Sequence, residues 1–342
     1  MKRTVLAFSG SAASAAAIQW LVAERGAEVV TVTLDVGQGG ELTAIREQAL
    51  ALGAVRAHVI DAREEFVRNY LLPALQAGAL SNGGALIHPL LAKRSIDVAR
   101  MESAGSVAHA ARGVTRRLLD SSLNALDSSM EIIAVDFTGE ALASFPRNHR
   151  VRADVSGDPR VEASVWGRTI LTGAGDDGAF TLTRDPHECP DEPALVDVEF
   201  DGGVPVSTNG VEMSMIEMFE SLETIAGAHG VGRSTAGGVA VEAPAAHVLA
   251  IAHEALERCA LGDDVARFKQ QLAGLYSNAI SSGRWFTDLR EGIDAFARLA
   301  NVRVNGTVSL VLRAGQCTVA RSDVRTHDDG NGLNATGSKA VA

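Results

Sequence analysis

Roughly the first 110 residues alternate between strand-forming and helix-forming segments, and this alternation limits the chain to a small number of folds. Four short runs of apolar and β-branched residues predict buried strands. These runs are Thr4–Phe8, Glu28–Leu34, Ala54–Ile60 and Ser106–His109. The segments that follow the first three runs carry apolar residues at about 3.6-residue spacing, which indicates helices. Repeated β-α-β units form a parallel sheet covered by helices, so the sequence predicts an α/β domain over residues 1–150.

The pattern changes after about residue 145, where a polar, turn-rich stretch begins. Two strands around Asp201-Gly202-Gly203 predict a hairpin. Helices are expected at 213–228, 244–261 and 263–280, and a closing strand pair at 302–311 and 316–321. We therefore expect an α+β domain over residues 151–321. The polar stretch 322–342 is predicted to be a disordered tail.

The loop after the first predicted strand has the outline of a phosphate-binding loop. Its polar and glycine residues are Ser9, Gly10, Ser11 and Ser14, and a helix follows them. Backbone N–H groups and the helix dipole at such a turn favour an anion. ATP enzymes of the PP-loop type use this geometry with a Ser-Gly-Gly-x-Asp-Ser signature, but Ala13 stands here at the acidic position. The alternative is that the serines only cap the helix.

Polar residues also follow the other predicted strands. Asp35 and Gln38 come after the second strand, where nucleotide contacts occur in parallel sheets, although inherited loop geometry explains this segment equally well. Arg112, Arg116 and Arg117 come after the fourth strand, and the first two share one helical face if a helix begins there. They are candidates to bind a carboxylate or phosphate. Alternatively, they form a solvated face or pair with Asp120 and Glu131.

Composition narrows the range of partners. The formal net charge of −11 argues against general nucleic-acid binding, and no segment approaches the length of a membrane span. The three cysteines are widely separated, so we expect reduced thiols in a cytoplasmic protein. No spacing of cysteine or histidine predicts a metal site.

The order of these segments and several local strings together resemble the argininosuccinate synthase family. The matches run in family order over about residues 1–321. Among them are Asp35-Val36-Gly37-Gln38-Gly39, Asp61-Ala62-Arg63-Glu64-Glu65-Phe66-Val67-Arg68, Trp166-Gly167-Arg168-Thr169 and His229-Gly230-Val231-Gly232-Arg233. Members of that family join citrulline to aspartate, activating citrulline as an adenylate and releasing pyrophosphate. The resemblance implies a Rossmann-like PP-loop domain (adenine nucleotide α hydrolase-like) followed by an α+β synthetase-type domain.

The resemblance also implies that this sequence differs from the family at positions that bind the ligands. Arg116 and Arg117 replace an Asn-Asp pair, and Asp120 replaces an arginine that binds citrulline. Arg160 and Thr169 fall where the family has two serines that contact citrulline. The segment 80–85 is shortened and lacks the family's tyrosine. Each lost charged partner costs on the order of 1.5–3 kcal/mol of recognition, so several together are incompatible with the original substrates.

We therefore expect a divergent argininosuccinate synthase-like protein that has lost citrulline–aspartate ligation. It is then a pseudoenzyme that binds a small anion or an amino-acid-like ligand, or a scaffold recruited for altered small-molecule chemistry. The alternative is an active, AMP-forming C–N ligase with a changed amino-acid-type substrate, and only that alternative requires ATP and Mg. Family members are tetramers clasped by a long C-terminal helix, whereas this chain ends in a polar tail after Arg321. We expect a homo-oligomer, with a dimer favoured over a tetramer.

Overall fold

A computed structural model describes residues 2–136, 160–171, 180–236 and 239–325. The chain divides into two compact units. The first comprises Met1–Arg63, Ala85–Asp158 and Ala279–Asp288, and the second comprises Glu64–Gly84, Pro159–Asn278 and Leu289–Ala342, as far as these ranges are described. Each unit therefore includes a short segment that lies, in the sequence, on the other side of the domain boundary predicted near residue 150.

The first unit contains a five-stranded parallel sheet, which confirms the predicted fold class. Its strands are β1 (Arg3–Ala7), β2 (Glu28–Asp35), β3 (Arg56–Asp61), β4 (Ser106–His109) and β5 (Glu131–Ala134). The order across the sheet is β3-β2-β1-β4-β5, and every neighbouring pair is parallel. The four strands predicted from sequence are present within two residues of the expected bounds, and β5 was not predicted.

Helices cover this sheet. They are α1 (Ala12–Arg25), α2 (Leu42–Ala51), α5 (Ile87–Met101) and α6 (Gly113–Leu126). Leu6 and Phe8 pack with the alanine-rich side of α1 in one core, which also contains Val29. Val5 is fully buried as well, and it points to the opposite face because side chains alternate along a strand. Helix α5 contacts β1, β2 and β4, and α6 contacts α5 and β5.

The helix predicted after the third strand is interrupted. It consists of α3 (Arg63–Phe66), a π-helical turn (Val67–Leu71) and α4 (Leu72–Gln76). A 3₁₀ segment, Leu80–Leu86, follows and contains Gly83 and Gly84. Pro73 at the start of α4 lacks a backbone N–H, which is tolerated at a helix start but not in a regular helix interior.

The second unit contains two antiparallel sheets. Strands β6 (Arg160–Ser164), β7 (Gly167–Leu171), β11 (Arg233–Ala236) and β12 (Val239–Glu242) form one, in the order β11-β12-β7-β6. Strands β8 (Ala194–Asp201), β9 (Val204–Thr208), β10 (Val211–Glu212), β13 (Gly306–Arg313) and β14 (Gln316–Val324) form the other, in the order β10-β9-β8-β13-β14. The predicted hairpin is the β8–β9 pair, and the predicted closing pair is β13–β14.

The helices of this unit are α7 (Met215–Ala228), α8 (Pro244–Ala260), α9 (Asp263–Ser281) and α10 (Asp288–Asn301). No element was predicted for the segment that forms α10, and the following strand, which was predicted to begin at residue 302, begins at Gly306. Strand β14 continues to Val324, so the first residues of the predicted tail belong to the sheet, and residues 326–342 lie outside the described residues. No helix in the described part of the chain is both long enough and apolar enough to cross a membrane.

Candidate functional site

The strand order of the parallel sheet reverses between β1 and β4. The chain leaves β1 for β2 and β3 on one side, and returns to β4 and β5 on the other. In the β1–β4 register, Leu6 lies opposite Ala108, so the loops that follow the two strands leave the same edge side by side. Ligands of open parallel sheets bind at this kind of position. The predicted residues after β1 and after β4 are thus brought to one edge.

The loop after β1 turns sharply into α1. Gly10 has a φ of 75°, and a Cβ there would lie 3.2 Å from Cγ1 of Ile45. Only glycine meets both conditions without strain. Ser11 is the N-cap of α1, and its hydroxyl accepts the N–H of Ser14 at 3.3 Å. The N-terminus of α1, with its partial positive charge, therefore points to the β1–β4 edge.

The three serine hydroxyls of this loop form a chain of hydrogen bonds. The hydroxyl of Ser9 donates to that of Ser11 at 3.1 Å, and the Ser11 hydroxyl donates to that of Ser14 at 3.1 Å. The Ser14 hydroxyl donates to the Ser11 carbonyl oxygen at 2.9 Å. Every hydroxyl proton is therefore used within the loop. An anion at this turn would be held by backbone N–H groups more than by serine side chains.

Asp35 and Gln38 support the loop after β2. The Asp35 carboxylate accepts the N–H of Gly37 at 3.0 Å, and the Gln38 amide bonds the backbone of Leu34 and Val36. Arg63, which was not among the predicted site residues, lies 3.6 Å from Asp35. Both predicted side chains are thus engaged in the local turn.

Arg63 links the ends of β2 and β3. Its Nε and Nη2 bind Asp61 side-on at 3.1 and 2.7 Å, and Asp61 lies opposite Asp35 in the strand register. The hydrogen bond from the Arg63 side chain is the main cause that lowers the pKa of Asp61, and a bond from the Arg63 backbone adds to it. The Asp61 carboxylate is therefore held in the ionised form by an arginine of the chain itself.

The loop after β4 places a buried histidine against Asp120. His109 is 1% exposed, and its Nε2 lies 2.6 Å from Asp120. The Ala111 N–H donates to its Nδ1 at 3.3 Å, so Nε2 carries the proton and donates to the carboxylate. Burial lowers the pKa of His109 below its ordinary value, against the opposing effect of Asp120. Arg116 also binds Asp120, at 3.3 Å, as the alternative interpretation of the arginines predicted.

Arg112 and Arg116 lie on the same side of the start of α6. Arg112 is the N-cap residue, and its Nε lies 3.9 Å from Asp136, while Arg116 Nη1 lies 3.7 Å from the same carboxylate. Nε and Nη2 of Arg112 are buried and make no hydrogen bond among the described residues. Nε and Nη2 form one edge of a guanidinium group, and Arg63 binds Asp61 through the same two atoms of its own side chain. Arg117 is exposed.

In the second unit, residues 80–84 pack against the indole of Trp166. The indole N–H donates to the Leu80 carbonyl oxygen at 2.7 Å. A Cβ on Gly83 would lie 2.3 Å from the indole Cδ1, and one on Gly84 would lie 2.9 Å from Cζ3 and 3.0 Å from Oγ1 of Thr169. Thr169 therefore lies beside this contact. Arg160 begins β6, opposite Leu171 in the register.

This close packing predicts a cost for a single methyl group. Replacing Gly83 with alanine should lower the free energy of unfolding of the second unit by about 1–3 kcal/mol, because the buried indole must move to accept the methyl group. Gly274→Ala is the matched control, since a Cβ at this position of α9 meets no atom within 4 Å. That control should leave stability unchanged or raise it by about 0.5–1 kcal/mol. Urea titrations followed by circular dichroism compare the two, and an equal effect of both variants contradicts the packing argument.

A buried carboxylate in the second unit was missed by sequence reasoning. Glu242, the last residue of β12, is fully buried and accepts the N–H groups of Thr181, Leu182 and Thr183 at 2.9–3.1 Å. Arg168 binds the same carboxylate at 2.9 Å. Since these partners lie far away in sequence, no local pattern points to this cluster. Its contacts are internal to the unit and hold the segment 181–183 against β12.

The β1–β4 edge fits an anion better than a magnesium nucleotide. Mg²⁺ bound to phosphates takes protein ligands mainly from carboxylates, and the first turn of α1 contains no acidic residue. Asp120 and Asp136, near the end of β4, are paired with arginines. Asp35 is bound to Gly37 and lies beside Arg63. The described residues contain no group of three or more His, Cys, Asp or Glu side chains placed to hold a metal ion. The helix N-termini and Arg112 provide positive charge without a metal.

Comparisons with known proteins give one consistent result. The model of the arginosuccinate synthase N-terminal HUP domain matches residues 3–142, and the model of the C-terminal domain matches residues 169–328. An argininosuccinate synthase of Dehalococcoides mccartyi is 36% identical over 347 aligned positions, covering 93% of this chain and 86% of that protein. The argininosuccinate synthases of Rubrobacter xylanophilus and Listeria monocytogenes are each 34% identical to this chain, and each alignment covers 93% of it. The alignments cover 85% of the Rubrobacter protein and 86% of the Listeria protein.

Proposed function

This chain belongs to the argininosuccinate synthase family, and we propose that it binds a small anion at the β1–β4 edge without ligating citrulline to aspartate. In this proposal the protein is a binding protein, or a scaffold recruited for altered small-molecule chemistry. It acts without ATP and Mg, and the cytoplasm remains its predicted location. The observation that carries the proposal is that Nε and Nη2 of Arg112 are buried and make no hydrogen bond among the described residues.

Two buried guanidinium nitrogens without an acceptor are costly. A buried donor left unsatisfied costs about 1–3 kcal/mol, more when it is charged. Arg112 Nε and Nη2 are in this state, and Asp136 at 3.9 Å is too distant for a hydrogen bond. A carboxylate or phosphate would accept from both nitrogens at once, as Asp61 does from Arg63. The ligand class that fits is therefore a small oxyanion, free or carried on an amino-acid-like molecule.

The surroundings of Arg112 add to this preference. The N-termini of α1 and α6 both lie at the β1–β4 edge, and each carries a partial positive charge. Arg116 lies beside Arg112, although it shares its charge with Asp120 and Asp136. The anion would compete with Asp136 for Arg112, so affinity is expected to be moderate.

The same residues argue against the family reaction. Asp120 stands where the resemblance places a citrulline-binding arginine, and His109 and Arg116 hold it in place. A carboxylate in place of a cation repels the carboxylate of an amino-acid substrate, and like charges at a binding surface cost several kcal/mol. Ala13 and the internally bonded serine hydroxyls leave the ATP loop without its carboxylate and without free hydroxyl donors.

Calorimetry with inorganic phosphate, pyrophosphate and succinate tests the anion site. Arg112→Gln is expected to weaken binding of the best of these anions at least tenfold, because a charged bidentate contact contributes about 1.5–3 kcal/mol. Asp136→Asn should strengthen it, since the competing carboxylate is removed. Arg117→Gln is the matched control and should change affinity less than about twofold. Absence of binding at millimolar anion, or equal effects of Arg112→Gln and Arg117→Gln, overturns the site.

A separate assay tests the loss of ligation. The protein is mixed with ATP, Mg, citrulline and aspartate, and pyrophosphate release is measured. We expect no release above background, with these substrates or with other amino acids in place of citrulline. Steady turnover with citrulline overturns the proposal, and turnover with another amino acid identifies an active C–N ligase of changed substrate.

A further inference from the structure

His109, the last residue of β4, connects the two arginines at the proposed anion site. Its ring is 1% exposed. Nδ1 accepts the N–H of Ala111, the residue before Arg112, at 3.3 Å. Nε2 donates to Asp120 at 2.6 Å, and Asp120 in turn binds Arg116 at 3.3 Å. One buried imidazole therefore joins the backbone beside Arg112 to the carboxylate that holds Arg116.

The direction in which Arg112 points depends on the backbone of this loop. Among the described residues, no hydrogen bond fixes its Nε or Nη2, and Asp136 lies 3.9 Å away. The Arg112 carbonyl oxygen accepts the Arg116 N–H at 3.2 Å, which fixes the loop to α6. The bond from the Ala111 N–H to His109 Nδ1 fixes it to β4. Loss of that bond frees the segment that aims the guanidinium group.

We propose that neutral His109 is the positioning residue of the anion site, and that protonation of its ring lowers the affinity of Arg112 for the anion. This role rests on the proposed function, since it regulates the same site. Neutral Nδ1 has one lone pair, which accepts the Ala111 N–H. After protonation Nδ1 is itself a donor, so two N–H groups face each other and the bond is lost. The Ala111 N–H then turns away from β4, and Arg112 moves with it.

Electrostatic attraction alone predicts the opposite effect of pH. A proton on His109 adds positive charge near the anion, which by itself strengthens binding in acid. The charged groups that act on the ring are Asp120 and Arg116, both on α6. Burial lowers the pKa of His109 from its ordinary value of 6.5, so the ring takes up its proton below that pH. The sign of the pH dependence therefore separates positioning from simple attraction.

The other elements around β4 bring one further titratable ring to this edge. Strands β1 and β5 place the apolar residues Leu6 and Ala134 near the end of β4. Asp136, just after β5, lies beside Arg112 and Arg116. Helix α5, which contacts β4, has His88 in its first turn. Its next charged residues pair with one another, and they are Lys93, Arg94 and Asp97. A test must therefore separate the proton of His109 from that of His88.

Two substitutions of His109 separate its two nitrogens. In His109→Asn the amide stands where Nδ1 stood and still accepts the Ala111 N–H, whereas in His109→Gln it stands where Nε2 stood and bonds Asp120. Calorimetry with sulfate at pH 7.5 should give His109→Asn an affinity within about threefold of wild type. His109→Gln should bind at least about fivefold more weakly, because it loses the Ala111 bond. Equal affinities of the two variants, or the reverse order, overturn the role of Nδ1. Circular dichroism checks that both variants are folded.

The pH profile of the unaltered protein tests the same role without a substitution. Sulfate keeps its charge in mild acid, so its affinity should fall at least about fivefold from pH 7.5 to pH 5 as His109 takes up a proton. His109→Asn takes up no proton there and should vary less than about twofold, although His88 is still present. His187→Gln, which alters an exposed histidine, should retain the wild-type profile. A wild-type affinity that stays constant or rises in acid overturns the proposal.

Arg112→Gln distinguishes failure of this role from failure of the anion site. If sulfate at millimolar concentration does not bind the wild-type protein, or binds Arg112→Gln equally well, the site and the role of His109 are both overturned. If Arg112→Gln weakens binding while the His109 variants bind alike and the pH profile is flat, the site stands and only the role of His109 is overturned.

Discussion

Replacing Glu242 with alanine is expected to lower the free energy of unfolding of the second unit by about 3–5 kcal/mol. The carboxylate is fully buried, and its removal leaves the Arg168 guanidinium and the N–H groups of residues 181–183 without their acceptor. Arg233 also depends on this cluster, since its Nε donates to the Thr183 hydroxyl at 2.6 Å. Urea unfolding followed by circular dichroism measures the loss.

Two further variants isolate the role of the charge. Glu212→Ala removes an exposed carboxylate from β10 and should change stability by less than about 0.5 kcal/mol. Glu242→Gln keeps one acceptor oxygen but loses the ion pair with Arg168. Its loss of stability should therefore lie between those of Glu212→Ala and Glu242→Ala. If Glu242→Ala costs no more than Glu212→Ala, the cluster does not hold the unit together.

The parallel sheet was predictable because its signal is local. Buried strands such as Glu28–Asp35 are short runs rich in β-branched residues, and glycines mark several of the turns that follow the strands. The β-α-β order then leaves few possible topologies. The position of the loop at Ser9–Gly10 follows from the same pattern, so sequence alone places it at the carboxyl edge.

Helix α10 was not predicted, and the reason lies in its composition. Gly292 lies inside the segment, and Arg290, Glu291 and Asp294 are charged. The apolar residues Leu289, Ile293, Phe296 and Ala300 nevertheless recur at three- and four-residue spacing, so the amphipathic signal of this helix was present in the sequence. The burial of Ile293 and Ala297 shows which face of the helix packs against the core.

The sequence identified several residues of the candidate site but not most of the contacts between them. Arg112, Arg116 and Asp120 were identified from sequence, and their spacing gave the Arg116–Asp120 pair as one alternative. The contact of Asp120 with His109 and the approach of Asp136 to Arg112 depend on how α6 sits over β4 and β5. Arg63 and Trp166 were present in the matching strings, but only the fold reveals what they bind.

The stability of the second unit should fall in mild acid because of His253. Its ring is fully buried, with Nε2 at 2.8 Å from Asn301 Oδ1 and Nδ1 at 3.5 Å from Glu257. Burial, assisted by the nearby Lys269 ammonium, lowers the pKa of His253 from 6.5 to about 3. Below about pH 6.5 the unfolded chain binds a proton that the folded chain excludes. The stabilising contribution is therefore complete above that pH and is lost as the pH falls toward 3.

The loss of stability caused by protonation of His253 can be calculated, and an exposed histidine provides the control. One pKa unit corresponds to about 1.36 kcal/mol, so His253 alone should account for about 2 kcal/mol of lost stability between pH 7.5 and pH 5. His253→Gln retains an amide near Asn301 and should reduce the pH dependence by that amount, even if it is less stable at pH 7.5. His187→Gln alters an exposed histidine and should leave the pH dependence unchanged. An unaltered acid dependence in His253→Gln would assign it to other groups of the second unit, of which His247 is the first candidate because desolvation lowers its pKa as well.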